Sequence, residues 1–304
     1  MLRPKQLYEL LKEAASQWSN DKSLKLGAAL SYYTVFSLPP LLLIVIATAA
    51  FAFDEEAARG QIVAQFQGFI GKENAAFIET MIEQKAAAPE RGLVATAIGL
   101  IVLLLGASGV FGELQDSLNT VWNVKPKPGA GLRHMIRTRL LSFSLILTIG
   151  FLLLVSLVLS AALAAFGAYL NRLWPGPPVI NYLLQAGNVL LSFALITALF
   201  AMLFKILPDA RIAWRDVWLG ASVTAVLFTA GKFLLGLYLG TSDVASAYGA
   251  AGSLIILLLW IYYSSQILFF GAEFTRAYAN RYGSRITPAA YAEPISEGGS
   301  KKAA

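Results

Sequence analysis

The composition of the chain places it in the membrane class. It has 304 residues, of which 57% are hydrophobic and 14% charged, whereas a soluble domain carries roughly a quarter charged residues. Cysteine is absent, which excludes disulfide bonds, thiolate metal sites and cysteine nucleophiles. The net charge of +6 is typical of cytoplasmic loops that face anionic lipid headgroups.

The first segment, residues 1–26, is amphipathic. Apolar residues from Leu7 to Trp18 recur at helical spacing after Pro4, opposite Lys5 and Lys12. This pattern predicts a helix that lies at the cytoplasmic interface of the membrane. No short apolar stretch with a small-residue cleavage site is present there, so a removable signal peptide is not expected.

Six apolar stretches between residues 27 and 282 are each long enough, at roughly 20 residues or more, for a helix to cross a bilayer. They are Gly27–Phe53, Leu93–Phe111, Leu140–Phe166, Leu183–Leu207, Val217–Leu239 and Gly249–Phe274. Basic residues concentrate before the first stretch, after the sixth, between the fourth and fifth, and between the second and third, where the loop holds Arg133, Arg137 and Arg139. Since basic loops stay in the cytoplasm, the sequence predicts an all-α polytopic membrane protein with six transmembrane helices and both termini inside.

Two regions outside these stretches have patterns of their own. Residues 54–92 carry two apolar stripes, separated by Gly71 and Lys72, among many acidic residues, which predicts an extracytoplasmic helical hairpin between the first two membrane helices. Residues 283–304 include Glu297-Gly298-Gly299-Ser300 and predict a disordered cytoplasmic tail.

Pro39 and Pro40 lie near the middle of the first apolar stretch. Because proline has no backbone N–H, this pair leaves two carbonyl oxygens without their helical partners. Side-chain hydroxyls close by, such as those of Ser31, Tyr33 and Thr34, are candidate donors to these oxygens. Two interpretations stay open: a kink that neighbouring helices satisfy, or a broken helix that lines a cavity.

Two ionisable residues lie within the last two apolar stretches. Lys232 is roughly 10 Å from the outer end of the fifth, where it either snorkels to the interface or faces the helix bundle. Glu273 lies near the inner end of the sixth and shares a helical face with Gln266 and Tyr262. We expect Glu273 to stabilise the structure rather than relay protons, with a partner among Lys205, Arg215 and Arg276.

Two shorter signals concern packing and turns. Gly236 and Gly240 are four residues apart in the fifth stretch, a spacing that lets helices approach closely. Pro208 and Asp209 predict a turn after the fourth stretch.

Several short motifs are distributed along the chain. They are Ala28-Ala29-Leu30-Ser31-Tyr32-Tyr33-Thr34, Ser37-Leu38-Pro39-Pro40, Ser117-Leu118-Asn119-Thr120-Val121-Trp122, Leu207-Pro208-Asp209, Trp214-Arg215-Asp216, Gly231-Lys232, Tyr248-Gly249, Trp260-Ile261-Tyr262-Tyr263 and Gly271-Ala272-Glu273. Together these motifs resemble the YihY/virulence factor BrkB family of bacterial inner-membrane proteins. The resemblance covers about residues 24–282 and implies a six-helix protein of the bacterial inner membrane.

The family also carries an older label, ribonuclease BN, which the residues do not favour. A metal-dependent nuclease needs clustered histidine and carboxylate ligands, and this chain has one histidine, His134, inside a basic loop. Neither a metal site nor an ATP-binding G-x-x-x-x-G-K-[ST] loop is found in the sequence. We therefore expect no enzyme activity, no cofactor and no nucleic-acid partner.

The leading hypothesis is a protein that handles or translocates a lipid or another amphiphile without an ATP-binding motif of its own. The kinked first helix, the polar face of the sixth and Lys232 at outer-leaflet depth suit a lateral groove for headgroups. The alternatives are a secondary transporter or channel for a small solute, and a non-transporting scaffold that binds envelope proteins through the outer hairpin. Membrane lipids are the expected partners in each case.

Overall fold

The described residues form long helices that are joined at one end by two short sheets. The computed structural model describes residues 3–49, 109–128, 179–241 and 252–295, together with position 60 and the helical positions 140, 144, 148, 151, 152, 155 and 159. The helices are α1 (Pro4–Asn20), α2 (Ser23–Ala49), α3 (residues 109–121), α4 (Val179–Ile206), α5 (Trp214–Thr241) and α6 (Gly252–Tyr282). The strands are β1 (Val124–Pro126), β2 (Ala210–Arg211), β3 (Thr287–Pro288) and β4 (Ala292–Pro294).

Three helices of the described part are long and apolar enough to cross a membrane. The apolar segments are Gln185–Ile206 in α4, Trp214–Tyr238 in α5 and Leu254–Tyr282 in α6, and they correspond to the fourth, fifth and sixth predicted stretches. α6 continues to Tyr282, eight residues past the predicted end of the last stretch. The hairpin predicted over residues 54–92 and most of the second and third stretches lie outside the described residues.

α2 covers most of the first predicted stretch and runs as one helix from Ser23 to Ala49, through Pro39 and Pro40. It is therefore not divided into two half-helices. The hydroxyls of Ser31 and Thr34 donate to the carbonyls of Gly27 and Leu30, one turn earlier, at 2.7 and 2.6 Å. The expectation that these two hydroxyls serve the carbonyls freed by the prolines is wrong, because each bonds within its own helical turn.

The amphipathic N-terminal segment is a helix, as predicted, and its apolar side packs on α6. Leu10 and Ala14 are fully buried against Phe274, Ala277 and Tyr278. The opposite side, with Lys5 and Lys12, is exposed. The periodicity of the segment thus serves a protein contact as well as any interfacial one.

The main apolar core lies at the strand-bearing end of the helices. It joins α3, α4, α5 and α6 around large side chains that include Phe204 and Phe269, both at most 1% exposed. The indole N–H of Trp122, just after α3, donates to the carbonyl of Ala272 in α6 at 3.2 Å. This core fixes the polar groups described below.

The segment that follows α6 is paired with two loops. β4 is antiparallel to β1, and β3 is antiparallel to β2. Lys125 and Glu293 form an ion pair of 3.3 Å across the first sheet. The prediction of disorder from residue 283 is wrong for residues 283–295, because their backbone finds hydrogen-bond partners in the loops after α3 and α4. Residues 296–304 lie outside the described part.

Candidate functional site

Gln266 lies at the contact between α2 and α6. A β-carbon added to Gly27 would come within 2.0 Å of its Nε2 atom, so the absence of a side chain at residue 27 makes room for the amide. Both polar atoms of the Gln266 side chain are buried, and neither forms a hydrogen bond with the described residues. A buried amide of this kind has unused donors and acceptors that favour a polar neighbour.

Glu273 lies two turns along the same face of α6 and is fully buried. The Nη1 atom of Arg276 is 3.5 Å from its Oε2 atom and 3.2 Å from Oδ2 of Asp21, which follows α1. The same nitrogen donates to the carbonyl of Val121 at 2.7 Å. Arg276, one of the three partners predicted for Glu273, is thus the one that the structure places beside its carboxyl group.

The other two predicted partners have different environments. Lys205 donates to the carbonyl of Ile212 and lies 5.6 Å from the ring centroid of Trp214. Arg215 is exposed at the start of α5. Neither forms an ion pair with Glu273 in the described residues.

Further buried polar groups come from the helices that pack around this end of α6. Ser23 begins α2, Ser117 belongs to α3 and Trp18 to α1, and a polar atom of each is buried without a hydrogen bond to the described residues. Both serines are at most 1% exposed. Together with Gln266 and Glu273 they give the described helices a set of buried polar groups with unused hydrogen-bonding capacity.

Sequence reasoning missed a second polar cluster, centred on Asp209. Gln115 and Asn119 donate to its two carboxylate oxygens at 3.1 and 3.0 Å, and its backbone N–H donates to Oδ1 of Asn119 at 2.8 Å. All three residues are at most 4% exposed. The sequence holds two amides one helical turn apart in α3. The carboxylate that they bind belongs to Pro208-Asp209, far along the chain, which by itself predicts only a turn.

A neighbouring carboxylate in α3 is affected by burial as well. Burial raises the pKa of the Glu113 side chain, and the negative charge of Asp116 raises it further. Glu113 is thus a carboxyl group of raised pKa at the start of the described part of α3.

The surroundings of Lys232 differ from those of Gln266 and Glu273. Lys232 is exposed on α5 beside Phe233 and Leu234, which are 68% and 60% exposed. The adjacent Gly231 is buried, and a β-carbon there would lie 2.8 Å from the hydroxyl of Tyr263 in α6. Both alternatives for Lys232, snorkelling to the interface and facing the bundle, stay predictions.

The remaining predicted site residues separate into described and undescribed groups. Tyr33 is 43% exposed and meets Tyr32 edge to face at 5.8 Å, while Tyr262 is half-buried on α6. The structure brings Gln266 and Glu273 onto one helix face and leaves Lys232 on a separate surface. The side chains of Pro39 and Pro40 and the basic loop of Arg133, Arg137 and Arg139 lie outside the described residues.

The part of the chain that the structure describes holds no cluster of metal ligands. No three histidine, cysteine, aspartate or glutamate side chains come together there in a way that would hold an ion. The buried carboxylates Glu273 and Asp209 have an arginine and two amides as neighbours, which are donors rather than metal ligands.

Comparison with known proteins places the chain among membrane proteins. A UPF0761 membrane protein of Pseudomonas paraeruginosa is 30% identical over 275 residues, which cover 87% of this chain and 61% of the relative. A UPF0761 membrane protein of Tolumonas auensis is 28% identical over 271 residues, covering 84% of this chain and 80% of the relative. One from Rhodospirillum centenum is 26% identical over 285 residues, covering 91% and 59%.

The chain spans about three fifths of the length of several curated relatives that it matches. No solved structure gives a significant match. A family model described as virulence factor BrkB matches residues 14–296. The chain therefore belongs to the YihY/virulence factor BrkB family of membrane proteins.

Proposed function

We propose that this membrane protein handles or translocates a lipid or another amphiphile across the bacterial inner membrane. The observation that carries the proposal is the buried polar face of α6, where Gln266 meets α2 and Glu273 lies beside Arg276, both with unused hydrogen-bonding capacity. In a membrane span, polar groups of this kind mark substrate and ion pathways. A headgroup would cross along this seam while its acyl chains stay in the lipid.

The surface next to the seam suits such a substrate. Tyr32 and Phe36 of α2 are 60% and 65% exposed, beside Ser31 and Val35, which are buried. Aromatic side chains of this kind contact acyl chains and glycerol groups readily. α2 thus presents lipid-facing aromatic rings on one side and contacts the polar face of α6 on another.

Lys232 supplies a cation for the outer-leaflet end of the proposed path. It lies six residues before Tyr238, the end of the apolar segment of α5, hence about 9 Å from that end at the usual helical rise. A lysine stem of four carbons reaches toward the interface from this depth and favours a phosphate-bearing headgroup. No ATP-binding motif accompanies this arrangement, so the chain would work without hydrolysing ATP itself.

We also propose the number and orientation of the membrane helices. Six membrane helices with both termini in the cytoplasm would put Glu273, Asp209 and the four strands on the inner side and Lys232 toward the outer leaflet. Reporter fusions check this: fusions after residues 92 and 248 should report an outside location, and fusions after residues 128 and 211 an inside one. The reverse pattern at any of the four sites would contradict the six-helix topology.

A second candidate is a secondary transporter for a small solute. The buried group formed by Glu273, Arg276 and Asp21 favours it, because ionisable residues inside membrane spans often mark ion pathways. A non-transporting scaffold is the third alternative, and it would depend on residues 54–92. Charge reversal in that segment should abolish function if the scaffold alternative holds, while Lys232→Ala should not.

The test is phospholipid flipping in liposomes that contain the purified protein. A fluorescent headgroup-labelled phospholipid is exposed to an external quencher, and the protected fraction reports lipid that has not reached the outer leaflet. We expect flipping above empty liposomes, a several-fold slower rate in Gln266→Leu and Lys232→Ala, and recovery in Lys232→Arg. Lys12→Ala, which removes an exposed charge from α1, is the matched control and should flip at the wild-type rate.

The outcomes separate the candidates. Flipping that neither Gln266→Leu nor Lys232→Ala reduces would move the lipid path away from α5 and α6. An absence of flipping by folded protein, for phospholipids of several headgroups, would contradict translocation and favour the scaffold or the solute transporter.

A further inference from the structure

The charges around Glu273 do not balance. Two carboxylates, those of Glu273 and Asp21, lie within 3.5 Å of the same nitrogen of Arg276. If both were ionised, the three side chains would carry one surplus negative charge. Glu273 is fully buried, whereas the side chains of Asp21 and Arg276 are 18% and 15% exposed. The surplus charge would therefore fall on the group that has least access to solvent.

No other described cation offsets this surplus. Lys22 and Lys25, at the start of α2, are exposed. Arg281 is engaged one turn further along α6, where it pairs with Glu9 at 2.6 Å and lies 3.8 Å from Glu13.

The other two neighbouring helices, α3 and α5, place no described cation in an ion pair with Glu273, since Arg215 and Lys232 of α5 are exposed. In α3, Asp116 is exposed, and Glu113 lies two turns before the carbonyl of Val121 that binds Arg276. α5 meets α6 through uncharged side chains at Gly220, Gly231 and Gly271, and its acid, Asp216, accepts two hydrogen bonds of 2.8 Å from Ser284. These helices add no positive charge at Glu273.

Hydrogen bonding points the same way. An ionised carboxylate accepts at several lone pairs, and buried carboxylates that stay ionised are well supplied with donors. The side chain of Asp209, for comparison, has an amide donor on each oxygen. By contrast, neither oxygen of Glu273 accepts a hydrogen bond from the described residues, and the guanidinium of Arg276 bonds Asp21 and Val121 instead.

We propose that Glu273 is a proton-binding site: its carboxyl group holds a proton while Arg276 pairs with Asp21. Protonation removes the surplus charge and turns one carboxyl oxygen into a donor. Ser23 at the start of α2 and Ser117 in α3 are buried hydroxyls with unused capacity at the helices that pack around this end of α6. The site would exchange its proton with the cytoplasmic side, and it does not rest on the identity of any transported molecule.

Infrared difference spectroscopy of the purified protein tests the proposal directly. A protonated carboxylic acid has a carbonyl-stretch band that is separate from the carboxylate bands and shifts to lower frequency in D₂O. At neutral pH we expect this band in the wild type and its loss in the near-isosteric Glu273→Gln. Glu113→Gln is the matched control, since Glu113 is a partly buried acid outside this group, and the band assigned to Glu273 should persist in it.

A second variant keeps Glu273 itself intact. In Asp21→Asn the guanidinium of Arg276 is left with one carboxylate, so Glu273 should ionise and its band should weaken at neutral pH. A wild-type spectrum at neutral pH without a band that Glu273→Gln removes would overturn the proposal. So would a band that is equally strong in Asp21→Asn, because the charge balance would then not be its cause.

Thermal unfolding in detergent gives an independent measurement. A group that holds its proton more tightly in the folded than in the unfolded state stabilises the fold at low pH and loses that contribution as the pH rises. The midpoint of wild-type unfolding should therefore fall between neutral and alkaline pH by several degrees more than that of Glu273→Gln. Equal slopes, or a midpoint that Na⁺ raises only when Glu273 is present, would contradict proton binding. These readouts need no lipid transport, so they fail or succeed separately from the flipping assay.

Discussion

The hydroxyl of Thr275 in α6 lies against Gly220 in α5, at 1.8 Å from the point where a β-carbon on that glycine would be. The relationship is reciprocal, because Thr224 of α5 lies against Gly271 of α6 in the same way, at 2.0 Å. Each hydroxyl donates to the carbonyl of the glycine four residues earlier in its own helix, at 2.7 and 2.8 Å. Two Gly-x-x-x-Thr units thus interlock where the helices cross, and small residues permit the close approach.

The first prediction concerns this crossing. Gly271→Ala should lower the free energy of unfolding by about 1–3 kcal/mol, the usual cost of overpacking a tight contact. The reason is that the new methyl group would overlap Thr224. The midpoint of thermal unfolding in detergent measures the effect. Gly236→Ala is the matched control, since a β-carbon at Gly236 would meet nothing within 4 Å. A loss of stability in Gly236→Ala as large as in Gly271→Ala would contradict the assignment of the contact.

The second prediction concerns the link between α3 and the loop after α4. Asp209→Ala should destabilise the protein by about 3 kcal/mol, because it leaves the buried amides of Gln115 and Asn119 without their charged acceptor. A double-mutant cycle with Asn119→Ala should give a coupling energy of about 1–3 kcal/mol. Additive effects of the two substitutions, measured as unfolding midpoints, would rule out this pairing.

The third prediction compares two ways of holding α1. Leu10→Ala should cost about 2–5 kcal/mol, because the leucine is fully buried against α6. Arg281→Ala should cost less than about 1 kcal/mol, since its ion pair with Glu9 is at the surface, where the arginine is 43% exposed. Limited proteolysis of α1 and unfolding midpoints measure both. A larger effect from Arg281→Ala would mean that charge, rather than burial, holds the helix.

The fourth prediction concerns the segment after α6. A chain that stops after Ile286 loses β3 and β4, so β1 and β2 lose their strand partners and Lys127 loses the carbonyl of Ala290. We expect faster cleavage by trypsin after Arg211, which Ile212 follows, and a lower unfolding midpoint. A chain that stops after Ile295 keeps both sheets and should behave as the full-length protein does. Identical cleavage of the two truncated chains would count against a role for the strands.

Features that depend on local periodicity could be predicted from the sequence. The amphipathic N-terminal helix and the fourth, fifth and sixth apolar stretches appear as helices because burial on one side, or membrane length, leaves a repeating pattern in neighbouring residues. Arg276 could be named as a partner of Glu273 for the same reason, because the two are three residues apart in one helix.

Features that join distant parts of the chain could not be predicted this way. Asn119 and Asp209 are 90 residues apart, and nothing near Asp209 indicates which helix will approach it. The Gly236 and Gly240 spacing did not point to Gly220 and Gly271, which form the described contact between α5 and α6. The segment after Tyr282 resembled a disordered tail because two- and three-residue strands leave no alternating pattern, and their order comes from loops elsewhere.

The position of β3 and β4 in the chain has a consequence for biosynthesis. Both strands follow α6, so a ribosome has already translated every other described element when residues 287–294 emerge. The loops that carry β1 and β2 therefore have no strand partner until α6 and the residues after it have been synthesised. Closing the two sheets is then a late step of assembly, and it can take place only in molecules whose α3, α4 and α6 have their ends on the same side of the membrane. Paired strands therefore mark molecules in which the ends of these helices have come together.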